Sequence, residues 1–318
     1  MNTPAPNTPS PDQIVEALDQ TGFILEHRVA QVLRSKGFET DLNRPFPDEA
    51  SGKSREIDVW GYKHSFAKRD PLAIYLATQV ICECKNTSNP FVIVGESLEH
   101  FGSSGSVRVA SAFDPLEFDF DGLSSSSDWE LKFGSLPGQL TKPDLLGRQL
   151  VRMNRQGSSW RADNSSIFDS IVYPLAKAGK HIVDGFSEPD PAEISADFGF
   201  FHLILVTSGP LFGVNIKADE PEVSACRWGS LARTFHAGDL RGSYIFDVVS
   251  FPHLAEYLDE RVLSIHQSAL QKIRENMHLL DPEWLLANKG EPGKKAEFGA
   301  WLGLYRAARG DRLANTHE

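Results

Sequence analysis

The chain has 318 residues, 41% hydrophobic and 24% charged, enough to bury a core and too apolar for a wholly disordered chain. No run approaches ~18 apolar residues and no charged-then-apolar leader opens the chain, so membrane-spanning and secreted readings are not expected; three cysteines are too few for a disulfide framework and point to the reducing cytoplasm. A net charge of −11, from 32 basic and 43 acidic residues, argues against indiscriminate coating of nucleic acid, while leaving room for local basic patches or acidic clusters.

In chain order, residues 1–11 hold four prolines and no charge and read as a disordered tail. A helical pattern begins at Asp12, with a break at Thr21-Gly22. A second helix runs from there to Ser35-Lys36, and Gly37 suits its C-terminal cap. An extended segment, Phe38 to Phe46, leads into a loop rich in proline and charge. Two strand-like runs follow, Arg55–Tyr62 and Leu72–Lys85, separated by the turn signal Lys68-Arg69-Asp70-Pro71. Residues 87–146 read as a long insertion with small strands and loops of its own; Asp114–Glu130 within it carries six acidic residues and no basic one. Helices are expected from about Leu145 and over Ile167–Ile182. The apolar run Phe201–Thr207 reads as a strand covered on both faces. Tyr244–Val249 is one more strand, with a helix from about His253 and a last one over Phe298–Ala308. This order is that of an α/β protein with a mixed sheet.

Three acidic residues and a lysine stand out. At 100° per residue, Phe23, Glu26, Val29, Ala30 and Leu33 share one stripe of the second helix, with Glu26 at its middle. A carboxylate there needs a partner; an arginine pair, or a helix rotated to bring Glu26 to the rim of the core, also suits the pattern. Strand alternation sets Glu56, Asp58 and Trp60 on one face and Ile57 and Val59 on the other. In the second run Ile81, Glu83 and Lys85 share a face, and Val80, Cys82 and Cys84 the opposite one. A hairpin about Pro71 pairs residues whose numbers sum to 141–143, so Asp58 meets Lys85 directly, or Glu83 after a small change of register. Two carboxylates a few ångströms apart require a shared proton or a divalent cation. Hard oxygen ligands in small number suit Mg²⁺. The same charges also suit ordinary cross-strand salt bridges.

The succession of a Glu26-bearing helix, a strand, the Ile57-Asp58 strand and the Glu83-Cys84-Lys85 strand resembles the PD-(D/E)xK nuclease superfamily. The motif's proline is replaced here by Ile57. The match covers about residues 20–86 and reaches more loosely to the helix after the insertion and to Phe201–Thr207. The resemblance implies a restriction-endonuclease-like mixed central sheet flanked by helices, with a large insertion after the catalytic hairpin. It divides the chain into the tail at 1–11, a nuclease domain over 12–262 and a C-terminal helical extension over 263–318. Asp58, Glu83 and the backbone carbonyl of Cys84 would bind Mg²⁺ or Mn²⁺, Lys85 would be the catalytic lysine, and Glu26 would hold the metal's water or a second metal. The implied activity is hydrolysis of DNA phosphodiester bonds; a non-cleaving nucleic-acid- or protein-binding module of the same fold is the alternative. Cutting both strands would favour a homodimer by symmetry.

Between Lys142 and Arg161, Arg148, Arg152 and Arg155 are spaced i, i+4, i+7, one face of the expected helix. A basic stripe in an acidic chain suits a phosphate track; it equally suits a solvated face balancing the acidic run. Cys82 and Cys84 lack zinc spacing and read as core-facing strand residues.

Overall fold

The computed structural model describes residues 8–48, 52–69, 72–97, 119–120, 123–124, 145–186, 195–216, 220–237, 240–275, 277, 281–289 and 306. Most of the acidic run, residues 1–7 of the tail and the helix expected at Phe298–Ala308, apart from Arg306, lie outside these residues.

Two helices open the chain. Ser10 closes a capping box with Gln13 at the start of α1 (Pro11–Thr21), and Gly22, at φ 89°, turns the chain into α2 (Phe23–Ser35). Leu25, Val29, Ala30 and Leu33 form the buried stripe of α2, each large one stabilising by roughly 1.5–3 kcal/mol. Phe23, expected on that stripe, is 52% exposed. The helix is rotated so that Leu25 takes the core position, which brings half-buried Glu26 to the rim.

Eleven strands of one mixed sheet follow the spatial order β1-β2-β3-β9-β13-β12-β7-β4-β10-β11, with β8 on β7. They are β1 (Glu39–Asp48), β2 (Lys53–Arg69), β3 (Leu72–Lys85), β4 (Phe91–Ser97), β7 (Leu145–Gln156), β8 (Ser159–Asp163), β9 (Ser195–Thr207), β10 (Leu211–Ile216), β11 (Pro221–Ala225), β12 (Trp228–Ala237) and β13 (Leu240–Ser250). Two-residue strands β5 (Asp119–Phe120) and β6 (Leu123–Ser124) pair separately. β1, β2 and β3 form an antiparallel meander, and β9 joins β3 in parallel over its whole length, Ala73↔Ser195 to Lys85↔Thr207.

Helices cover both faces. On one side α2, the C-terminal α4 (Leu254–Tyr257) and a π-helical turn (Leu258–Leu263) pack with Val59, Val80, Cys82, Cys84, Ile204 and Val206, and α5 (Ser264–Glu275) continues from that turn against β2 and β3. On the other, α3 (Tyr173–Phe186) packs with Ile57, Ile81, Leu203, Leu205 and Phe246. The cysteines of β3 are thus core residues, as their position suggested. His266 of α5 ties its layer to the hairpin, its two ring nitrogens meeting Ser65 Oγ at 2.8 Å and Thr78 Oγ1 at 2.9 Å. A short helix, α6 (Pro282–Lys289), follows. No helix among the described residues is long and apolar enough to cross a membrane.

Two readings are corrected here. The segment from Leu145 is the strand β7, paired with β4 and continued into β8 through a Gly157-Ser158 turn with Gly157 at φ 63°. Arg148, Arg152 and Arg155 therefore share no helix face. The presumed insertion also starts inside the main sheet, since β4 is one of its strands.

Candidate active site

The β2–β3 hairpin pairs residues whose numbers sum to 141, from Arg69↔Leu72 to Val59↔Cys82. That register brings Asp58 to the level of Glu83, the second of the two alternatives. Beyond Val59↔Cys82 the ladder stops, and Asp58 Oδ2 instead accepts the Cys84 N–H at 2.7 Å. On its other flank, the β1–β2 ladder passes over the Asn43/Asp58 pair, joining Leu42↔Val59 and then Arg44↔Ile57. Asn43 sits at φ 54°, the left-handed conformation that asparagine adopts more readily than other residues with a side chain.

This local break overturns the simple alternation along β2. Ile57 packs in the α3 layer and Val59 in the α2 layer, although strict period two puts them on one face. Asp58 occupies the residue at which the strand changes face. Its carboxylate is thereby released from the regular pleat and delivered to the opening between β2 and β3.

Four charged groups meet at that opening. Glu83 and Lys85 alternate with the buried cysteines along β3, and Lys85 Nζ lies 2.5 Å from Glu83 Oε1. The Glu83 carboxyl is pushed up to about 7, first by burial and then by Asp58, with the Lys85 ammonium offsetting only part of that. Asp58 is raised as well, first by burial, despite the Cys84 N–H and Lys85. Glu26, from the rim of α2, is raised by burial and then by Asp58. Desolvation pulls Lys85 down, but Glu83 and Asp58 outweigh it, and the lysine ends above its ordinary value. Three carboxylates thus compete for one ammonium.

The backbone contributes an acceptor. The Lys85 carbonyl faces β9, where it takes the Ser208 N–H at 3.2 Å. Alternation directs the amide edge of Cys84 toward β2, and its N–H indeed meets Asp58. The Cys84 carbonyl lies past the last ladder pair on that side. Among the described residues no three His, Cys, Asp or Glu side chains are placed to hold a metal by themselves. Two carboxylates, a carbonyl and water make a donor set suited to a hard divalent cation, and the excess of negative charge fits one.

The arginines lie elsewhere. Arg152 stands 3.7 Å from Asp163 with its Nε buried and unbonded, Arg155 Nε donates to the Gly157 carbonyl at 3.2 Å, and Arg148 is exposed. Periodicity did not point to Asn43; a lone asparagine inside an extended run was its only signal.

Compared with known families, with curated proteins and with solved structures, the chain matches none.

Proposed function

We propose that the protein is a divalent-cation-dependent nuclease with a restriction-endonuclease-like core, hydrolysing phosphodiester bonds in DNA. The observation that carries this reading is the meeting of Asp58, Glu83 and Lys85 where the β2–β3 ladder opens, with Glu26 at its edge. The succession α2-β1-β2-β3, then α3 and β9 alongside β3, supports it, because it follows the order that the sequence motif implies.

Asp58, Glu83 and the Cys84 carbonyl would hold Mg²⁺ or Mn²⁺. Such an ion supplies charge neutralisation at the scissile phosphate and a more acidic water. The chain's own groups do the rest. Asp58 is anchored by the Cys84 N–H, which commits one carboxylate oxygen. Lys85 would leave Glu83 to stabilise charge developing on the phosphate or to orient the attacking water. Glu26, with its raised affinity for a proton, is suited to accept one from that water through a hydrogen bond.

The test is calorimetry with Mg²⁺ and Mn²⁺ on wild type and Asp58→Ala, with plasmid and single-stranded DNA cleavage on the same samples. Binding and cleavage are expected in wild type, and Asp58→Ala should lose both, with a rate loss of about a thousandfold or more. A wild-type protein that neither binds the cations nor cleaves would make the cluster a structural salt-bridge set.

A further inference from the structure

The β7–β8 hairpin is bound to the candidate site by a continuous chain of hydrogen bonds. After Lys85, Asn86 and Thr87 clasp Ser208, whose Oγ donates to Asn86 Oδ1 at 2.7 Å and accepts the Thr87 N–H at 2.9 Å. Thr87 Oγ1 accepts the Asn89 N–H at 3.0 Å. Asn89 Nδ2 then donates to Asn154 Oδ1 at 3.1 Å, and Asn154 Nδ2 to Asp163 Oδ2 at 3.1 Å. Backbone packing reinforces the link: a Cβ on Gly209 would lie 2.6 Å from the Thr87 carbonyl oxygen, and the Met153 N–H donates to the Pro90 carbonyl at 2.8 Å. Asn89 is four residue steps from Lys85, a reach of no more than roughly 14 Å.

Past this anchor the hairpin projects into solvent. Every residue from Arg155 to Ala162 is exposed, and Trp160 is 53% exposed. Arg155 and Trp160 are directly paired across the strands, and Arg161 pairs with Asn154. Residues 154–162 hold two arginines and no acid, in a chain of net charge −11. The nearest acid, Asp163, is occupied by Asn154, Ser165 and Arg152. An uncovered tryptophan on an edge strand invites aggregation, so its retention there calls for a use.

We infer that this hairpin is a nucleic-acid-binding finger beside the active site, stacking an unpaired base on Trp160 with Arg155 of the same face on a flanking phosphate, and with Arg161, on the other face of the ribbon, on a further phosphate of the strand. The inference rests on the nuclease reading for the class of its ligand. It replaces the expected helical stripe with a different set, because Arg152 is drawn to Asp163 and only Arg155 of the three lies on the exposed tip. An aromatic face opposite a guanidinium matches what a single strand offers, a flat base joined through a sugar to a phosphate.

The test is binding of a fluorescein-labelled single-stranded DNA oligonucleotide and of its blunt duplex to the full chain in EDTA, where cleavage cannot occur. Wild type should prefer the single strand. Trp160→Ala should weaken that binding about tenfold, and Trp160→Phe should restore most of it. Arg155→Ala/Arg161→Ala should flatten the salt dependence, lowering the slope of log affinity against log salt by about 1.4. Thermal melting of each variant checks that the exposed tip has been altered without unfolding the sheet. Wild-type affinity in Trp160→Ala, an unchanged salt slope in the double variant, preference for the duplex, or no binding by wild type would each overturn the inference. Asp58→Ala should bind at least as tightly as wild type in EDTA, where its carboxylate can only repel phosphate; loss of cleavage with the finger's binding retained separates this test from that of the nuclease reading.

Discussion

Two carboxylate clusters, each with a lysine, border strand β2 and differ in their charge balance. At the far end of β1, Asp48 is held by Lys177 of α3 and by Arg55, whose Nε stands 2.6 Å from Asp48 Oδ2. The Asp48 and Lys177 side chains are 1% and 3% exposed. One carboxylate there has two cationic partners, so it can be sealed away from water. At the β2–β3 opening, Asp58, Glu83 and Glu26 share the single ammonium of Lys85, and the Glu83 and Lys85 side chains keep 14% and 34% exposure. A cluster that fastens layers together has its charges paired; one left anionic and open to solvent has room for a cation and a substrate.

Breaking one member of each cluster should separate them most sharply. Lys177→Met removes a buried cationic partner of Asp48, so urea unfolding should show a loss of about 3 kcal/mol. Asp58→Asn should leave metal-free stability unchanged or raised. The amide oxygen can still accept the Cys84 N–H, while repulsion with Glu83 and Glu26 is relieved. A loss at Asp58→Asn comparable to that at Lys177→Met would make both clusters structural.

A smaller effect follows from Glu83. Its carboxyl titrates near 7 in the folded chain against 4.5 when unperturbed, so between those values the native state holds a proton that the unfolded chain has lost. Stability from this group is therefore greatest at low pH and declines as pH rises from about 4.5 to about 7, by on the order of 1–3 kcal/mol. Glu83→Gln should abolish that decline in EDTA. Cation binding must expel the proton, so calorimetric affinity should climb by up to about tenfold per pH unit toward 7 and level off above it. Affinity indifferent to pH between 5.5 and 7.5 would remove Glu83 from the ligand set.

The same contrast marks what the sequence made legible. For the hairpin, the turn signal at Lys68–Pro71 narrowed the register to sums of 141–143, and the ladder takes 141, which brings Asp58 level with Glu83, the second of the two alternatives. The half of the sheet formed by β4, β7, β10, β11 and β12 was largely hidden. Leu145–Gln156 contains one β-branched residue, Val151, among Leu, Met, Gln and Arg, which favour helices, and its arginines fall at helical spacing. Pairing with β4 overrides that preference, across an irregularity at Val94/Gly95. The contrary signal was the Gly157-Ser158 turn, a two-residue hairpin connection. At Glu26 the helix was legible and its phase was not: a rotation exchanging Phe23 for Leu25 moved the carboxylate from core to rim.

The smallest effect tests what aims Asp58. Asn43 lies across from it at φ 54°, and there the ladder skips a pair while β2 changes face. Glycine accepts that conformation, so Asn43→Gly should keep the site and alter stability by less than about 0.5 kcal/mol. A β-branched side chain resists it, and Asn43→Val should cost roughly 1–2 kcal/mol. If valine instead drives β1 back into regular pairing, Asp58 returns to the pleat and leaves the Cys84 N–H. Cation affinity should then fall in Asn43→Val by more than its stability loss explains, while Asn43→Gly binds as wild type does. Equal affinity in the two variants would mean that Asp58 is positioned by its bond to Cys84 alone, and that the break in β1 is a consequence of that bond instead of its cause.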